Sequence, residues 1–215
     1  MSKKPKFVSG EIFHVFNRSI AGFKIFDSVG NSQRFIETLD YYNNLEIKEK
    51  FSRAKNLRKY FFNNLMTPKP NSKIKIISYC IMPDHYHMLV KILEDSSFSK
   101  YINDIENSFT RYFNIRFRRK GPLWESSFKT VRINTNEQLL HVSRYIHLNP
   151  TSSNLVTKPE DWELSSYNNF IKDQKYLKEI LTEISIKSPK RYKSFVENNI
   201  NYQKKLKFIR KLMID

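Results

Sequence analysis

The chain reads as an α+β protein: a ferredoxin-like, RRM-like split βαβ antiparallel sheet with an added C-terminal helix and a helical tail. Three observations predict this. Short β-rich runs alternate with amphipathic stretches in the order strand, helix, strand, strand, helix, strand, helix. The third and fourth of these meet at Met82-Pro83-Asp84, the signature of a hairpin. Only 4 glycines and 8 prolines punctuate the 215 residues, while 40% are hydrophobic and 14% aromatic, enough for one well-filled core.

Ile12 to Asn17 is mostly apolar and predicts the first strand. From Asn31 to about Phe51, apolar residues at Phe35, Ile36, Leu39, Tyr42 and Leu45 fall near helical spacing. The segment from Phe51 to Lys73 is basic and ends in Thr67-Pro68-Lys69-Pro70-Asn71-Ser72, a loop composition. Ile74 to Met82 predicts the second strand, and His85 to Leu93 its return. Phe98 to about Phe117 carries Tyr101, Ile102, Ile105, Phe109, Tyr112 and Phe113 on one helical side, and Gly121-Pro122 breaks it. Phe128 to Ile133 predicts a short strand. Asn134-Thr135-Asn136 offers an N-cap for a helix from Glu137 to about Leu148, which Asn149-Pro150 is expected to close. After Tyr167 the composition shifts toward Lys, Ile, Leu and Tyr, which predicts two or three partly basic helices. The expected division is a catalytic domain over 8–170 and a helical, basic extension over 171–215.

The formal net charge of +17 points to a polyanion as partner, nucleic acid above all. A merely basic soluble protein or an anionic lipid surface are the alternatives; no run of 18 apolar residues speaks for the membrane. Cys80 is the single cysteine, so neither an internal disulfide nor a cysteine zinc cluster can form. It lies in the apolar run Ile76 to Met82 and is expected to be a reduced core thiol. The N-terminal Met1-Ser2-Lys3-Lys4-Pro5-Lys6 has no apolar signal-peptide region, and these features together predict a cytoplasmic protein.

Five histidines occur, and only His85 and His87 stand two apart. On a strand, both project from one face, and two imidazoles side by side can hold one divalent ion. The same pair could simply be two hydrogen-bonding hairpin histidines. In Arg144-Tyr145-Ile146-His147-Leu148-Asn149-Pro150, Tyr145 and Asn149 share a helix face. That face, packed toward the histidines, would gather three metal ligands and a phenol able to attack phosphate. A buried tyrosine and a capping asparagine would produce the same pattern.

The motifs taken in order resemble the HUH-type single-tyrosine transposases, specifically the branch associated with repetitive extragenic palindromes (REP). Met82-Pro83-Asp84-His85-Tyr86-His87-Met88-Leu89-Val90 is similar to the HUH motif, and Tyr145-Ile146-His147-Leu148-Asn149-Pro150 to the tyrosine motif. His14-Val15-Phe16-Asn17-Arg18, Gly121-Pro122-Leu123-Trp124, Phe128-Lys129 and Ser165-Ser166-Tyr167 resemble further stretches of that branch. The chain departs from it at Ser127, where the branch often has arginine, in the polar Thr151-Ser152-Ser153-Asn154, and in a long basic insertion over 48–72. The resemblance implies a transposase that binds single-stranded or hairpin DNA and cleaves and rejoins it through a 5′-phosphotyrosine on Tyr145. It implies His85, His87 and Asn149 as ligands of a divalent metal, Mg²⁺ or Mn²⁺. Members of the branch are often dimers, so a homodimer is admitted. Alternatives are a related HUH replication initiator or relaxase, and a domesticated, inactive DNA-binding module. Candidate phosphate contacts are Arg18, Arg53, Lys55, Arg58, Lys59, Arg116, Arg118, Arg119, Lys120 and Lys129. Phe51, Tyr60, Phe61, Phe62 and Phe117, interleaved with these, are candidates for base stacking or for core packing.

Overall fold

A computed structural model describes residues 7–57, 59–60, 62 and 65–212. Its elements run β1 (Ile12–Arg18), α1 (Val29–Tyr42), α2 (Phe51–Asn56), β2 (Ile74–Ile81), β3 (His85–Ile92), α3 (Phe98–Arg116), β4 (Lys129–Ile133), α4 (Asn136–Ser152), α5 (Tyr167–Lys172), α6 (Pro189–Glu197) and α7 (Ile200–Leu212). The four strands form one antiparallel sheet in the order β2-β3-β1-β4. This is the split βαβ arrangement expected from the sequence.

Alternation along the strands sorts the molecule into layers. Phe13 and Asn17 of β1 and Tyr86 of β3 face α1 and α3: Phe13 packs against Phe98, Asn17 and Tyr86 bond to Glu106, and Tyr86 stacks against Phe35. His14 and His87, between those positions, face Tyr145 of α4 on the other side. The α1/α3 layer is fastened by Phe26, Phe35, Phe109 and Trp124, whose rings meet at 4.7 to 6.3 Å. Each such buried ring is worth about 1.5–3 kcal/mol over an exposed one. Cys80 is fully buried and free, and burial pushes its thiol pKa up, as expected of a core thiol.

Two helices differ from the sequence reading. The first ends at Tyr42 rather than near Phe51, because the Asn43 side chain leaves the helix to pair with β2: its Nδ2 donates to the Ile74 carbonyl and its Oδ1 accepts the Ile74 N–H. Leu45 is consequently exposed, and Phe51 starts the separate short α2. The helix carrying Tyr145 does not close at Asn149-Pro150. It runs on to Ser152 with Pro150 inside. The proline removes one N–H. Hydroxyls supply bonds at that end: Thr151 Oγ1 donates to the Leu148 carbonyl, and Ser152 and Ser153 Oγ both donate to that of Asn149. These bonds, from hydroxyls beyond the proline, cap the Leu148 and Asn149 carbonyls in the last turn.

The tail folds back onto the rest. Tyr167, Phe170, Tyr176, Leu177, Leu181, Ile184, Tyr192 and Val196 join the same apolar core as the sheet residues. Glu183 bridges Lys75 of β2 (2.7 Å) and Lys91 of β3 (3.2 Å). Among the described residues, no helix is long and apolar enough to cross a membrane.

Candidate active site

The site forms where the β2–β3 hairpin and β1 meet α4. Met82-Pro83-Asp84 turns the chain, and β3 begins at once with His85, paired to Arg18 across the sheet. The strand period then sets His85 and His87 on one face, their rings 5.1 Å apart, and Tyr86 on the other. Tyr86 is fully buried, and its hydroxyl donates to Glu106 at 2.7 Å, so its phenol lies away from the histidine face.

α4 is set by caps and ties at both ends. Thr135 Oγ1 accepts the Gln138 N–H, while Gln138 Oε1 accepts that of Asn134, closing the N-terminus in the manner of a capping box. Further along, fully buried His147 joins a satisfied chain of hydrogen bonds. The Tyr79 N–H donates to Ser166 Oγ, which lies 2.9 Å from His147 Nε2. His147 Nδ1 lies 2.9 Å from the Tyr192 hydroxyl, which donates to Ser143, which donates to the Leu140 carbonyl. With the His147 proton on Nδ1, every donor in this chain meets an acceptor. Burial lowers the His147 pKa to about 3, which keeps the ring neutral. Ser166 also pairs with the edge of β2, since its N–H donates to the Tyr79 carbonyl. The Ser165-Ser166-Tyr167 motif thus pins α4 against the sheet. From the far side, Gln203 of α7 donates to the Tyr145 carbonyl at 3.1 Å, and Lys207 reaches Ser153 at 2.5 Å.

Held this way, half-buried Tyr145 places its ring 5.5 Å from that of His87 and 6.1 Å from that of His14, edge-on to both. Asn149 follows one turn later, 2% exposed, its Nδ2 donating to the Tyr145 carbonyl at 3.3 Å, which leaves Oδ1 as an acceptor.

The histidines show how the site could take a cation. His85 Nδ1 is 2.5 Å from Asp84 Oδ1, and the other Asp84 oxygen receives Arg18 Nε at 3.0 Å. His87 Nδ1 is 3.0 Å from His14 Nε2. Among the described residues no protein group hydrogen-bonds Nε2 of either. A ring whose Nδ1 is tied to a carboxylate or another base presents Nε2 as a metal ligand of fixed tautomer. Burial drives the His87 pKa well below its ordinary value, with the neighbouring His14, His85, Lys207 and Arg18 adding to it, so the ring is neutral as a ligand must be. Burial likewise lowers His14 to about 4. For Asp84, burial acts upward, but the His85 bond and the His85 and Arg18 charges outweigh it and hold the carboxyl below its ordinary value. Among the described residues, no three His, Cys, Asp or Glu side chains gather into a metal-holding group. Two imidazoles here would therefore need an oxygen of another kind, and the Asn149 amide is chemically suited.

His14 is the participant that sequence reading missed. It lies 73 positions from His87, and only the β1–β3 register joins them. The one available signal is that His14 falls on the face opposite Phe13 and Val15.

The cationic residues split between locations. Arg18 stands at the site with 57% of its side chain exposed. Exposed Lys129 begins β4 at the sheet edge. Arg53 and Lys59 approach Glu49 at 3.4 and 3.7 Å, and Lys55 pairs with Glu37. Arg116 donates to the Tyr112 hydroxyl, Arg119 to Asn114 and the Pro122 carbonyl, while Arg118 and Lys120 are exposed. Arg58 and Phe61 lie outside the described residues. Phe51 is fully buried and belongs to the core, Tyr60 is half-buried and bonded to Asp40, and Phe62 and Phe117 are exposed.

The family model described as "Transposase IS200 like" matches residues 46–149, a span that ends at Asn149. A Haemophilus influenzae protein provisionally designated a REP-associated tyrosine transposase is 27% identical over 110 residues, covering 46% of this chain and 62% of its own length. A solved structure of a REP-associated tyrosine transposase bound to a REP hairpin superposes with a TM-score of 0.57 at 14% identity, over 80% of this chain and 85% of that one. The chain is thus similar to the REP-associated tyrosine transposases in sequence, and to one of them in fold.

Proposed function

We propose that this relative of the REP-associated tyrosine transposases is a metal-dependent DNA strand transferase acting on single-stranded or hairpin DNA, with Tyr145 as nucleophile. The observation that carries the reading is the meeting of Tyr145 with His87, which shares its strand face with His85; both histidines have Nδ1 engaged, and among the described residues no protein group bonds Nε2 of either.

In this reading His85 and His87, with Asn149, hold a divalent cation of the Mg²⁺ or Mn²⁺ kind. When bound, that ion supplies positive charge for a non-bridging phosphate oxygen. The protein's own groups do the rest. α4 holds the phenol in place for in-line attack, which removes the entropic cost of orientation. The Tyr145 oxygen bonds to phosphorus, the phosphorus–O3′ bond breaks, and the 3′ oxygen leaves as a hydroxyl. The phenol gives up one proton and the leaving oxygen gains one, so the step is balanced. A later 3′-hydroxyl reverses it, and no nucleotide cofactor is consumed. Arg18, exposed beside Asp84, is placed to contact a phosphate of the entering strand. The reduced Cys80 thiol suits work in the cytoplasm.

The test is a covalent adduct. Wild-type protein, Mg²⁺ and labelled single-stranded hairpin DNA should yield a protein–DNA species whose modified peptide contains Tyr145. Tyr145→Phe should lose it, and His85→Ala or His87→Ala should lower its rate at least a hundredfold while hairpin binding changes little. An adduct that maps elsewhere, or one made equally well by all three variants, sinks the assignment.

A further inference from the structure

α7 lies along α4 and touches it at two points. Gln203 donates to the carbonyl of Tyr145. Lys207, four residues on and therefore on the same helix face, reaches the Ser153 hydroxyl at the end of α4. A cation beside the last carbonyls of a helix is an ordinary stabilising arrangement. The surroundings of Lys207 give it a second use.

Among the described residues no carboxylate pairs with Lys207, and the partner it has is a neutral hydroxyl. Asp84 is the acid whose charge acts on it, but one Asp84 oxygen is taken by His85 and the other by Arg18. Arg18 repels Lys207. Desolvation of the ammonium end is the largest cause that lowers the Lys207 pKa, the Arg18 charge comes next, and Asp84 and Cys80 oppose them. The Lys207 charge also bears on His87, adding to the burial that keeps that ring neutral. The tail thus brings a second cation to Arg18 and His87. Both cations stay open to solvent: Lys207 is exposed, and 57% of the Arg18 side chain is. An entering phosphate relieves the repulsion between them and gains a charge-assisted bond from each. As Tyr145 attacks, negative charge builds on the non-bridging oxygens, so a cation held there stabilises the transition state more than the bound strand.

We propose that Lys207 is a catalytic residue of the strand-transfer site: with Arg18 it grips the phosphate that Tyr145 attacks. The amine keeps its protons throughout, and supplies charge and hydrogen-bond donors. Its flexible stem lets it leave Ser153 for the phosphate when a strand enters. The proposal rests on the transferase reading above and adds to it a group that comes from the tail.

The test pairs adduct rate with binding. Adduct formation is timed at saturating labelled hairpin DNA with Mg²⁺, and affinity for a short unpaired strand is measured by fluorescence anisotropy in EDTA over a range of salt. Lys207→Met should slow the adduct by at least about tenfold. It should also make the log–log salt slope shallower by about 0.7, the share of one single-strand phosphate contact. Lys207→Arg keeps a cation and should restore the slope and most of the rate. Ser153→Ala removes the resting partner but not the charge, with Ser152 still donating to the Asn149 carbonyl, and should match wild type in both readings. Lys205→Met removes an equal charge from an exposed position about 200° round α7 and should also match wild type. A slope unchanged by Lys207→Met overturns the proposal. So does an equal loss in Ser153→Ala, which would make Lys207 a brace for α4, or a faster adduct in Lys207→Met, which would make it an obstruction. A wild type that makes no adduct, with a slope that still falls in Lys207→Met, sinks the transferase reading and leaves the phosphate contact standing.

Discussion

Glu106 lies beneath the histidine strand, 6% exposed, with Asn17 Nδ2 and the Tyr86 hydroxyl both donating to its Oε1. Burial raises its pKa to about 7, against the smaller downward pull of those two bonds. The folded protein thus keeps a proton there that the unfolded chain releases near 4.5. Stability from this group is fully present below about 4.5, falls as pH rises, and is lost above about 7, a difference of about 3 kcal/mol. Glu106→Gln keeps an oxygen to accept both donors and carries no charge. Its melting temperature should match wild type near pH 4.5 and exceed it at pH 8, as read by thermal unfolding monitored by circular dichroism. Identical pH profiles would show that Glu106 is ionised throughout. His14 and His147 work in the opposite sense: with folded pKa values lowered to about 4 and 3, they withdraw stability as pH falls below about 6.5. At this scale the sequence was only half readable. The spacing of His85 and His87 announces a shared face because strands alternate. Nothing local announces His14 as a partner of His87, or Glu106 as a buried acid, because each depends on a neighbour from another strand or helix.

At the scale of elements, α4 decides whether Tyr145 and the histidines meet. Its existence and its Thr135 cap were legible, as was the face shared by Tyr145 and Asn149. Its end was not, because a proline normally stops a helix, and the hydroxyl bonds of Thr151, Ser152 and Ser153 that finish this one are contacts a sequence does not display. The tie through Ser166 is open to test. Ser166→Ala leaves the Tyr79 N–H and His147 Nε2 each short of a partner in a buried place, a cost of about 1–3 kcal/mol. The variant should melt several degrees lower and form the Tyr145 adduct more slowly, while its hairpin affinity stays within twofold, since no cationic side chain is removed. A stability loss with an unchanged adduct rate would show that α4 keeps its position without this bond.

For the whole molecule, composition and pattern reached the sheet and its helices because local periodicity reports burial. They could not show that residues 48–53 line one cleft with the outer face of α3, nor what the tail touches, since those contacts join distant parts of the chain. The tail supplies Tyr192 to the His147 chain, Glu183 to Lys75 and Lys91, and Gln203 to the Tyr145 carbonyl. A chain cut after residue 187 keeps Glu183 but lacks Tyr192 and Gln203. It should bind stem-loop DNA within a few-fold of the full chain and lose most adduct formation, measured side by side with the same labelled strand. Undiminished adduct formation would show that α6 and α7 are dispensable for seating the nucleophile. The same dependence has a meaning in time. The last residue of α4, Ser152, leaves the ribosome 51 residues before Gln203, about 3–10 s earlier at ~5–20 residues per second. Through that interval a newborn chain carries its phenol and both imidazoles without the Gln203 brace on α4, so in the transferase reading any cutting of a strand must wait for the tail to be made.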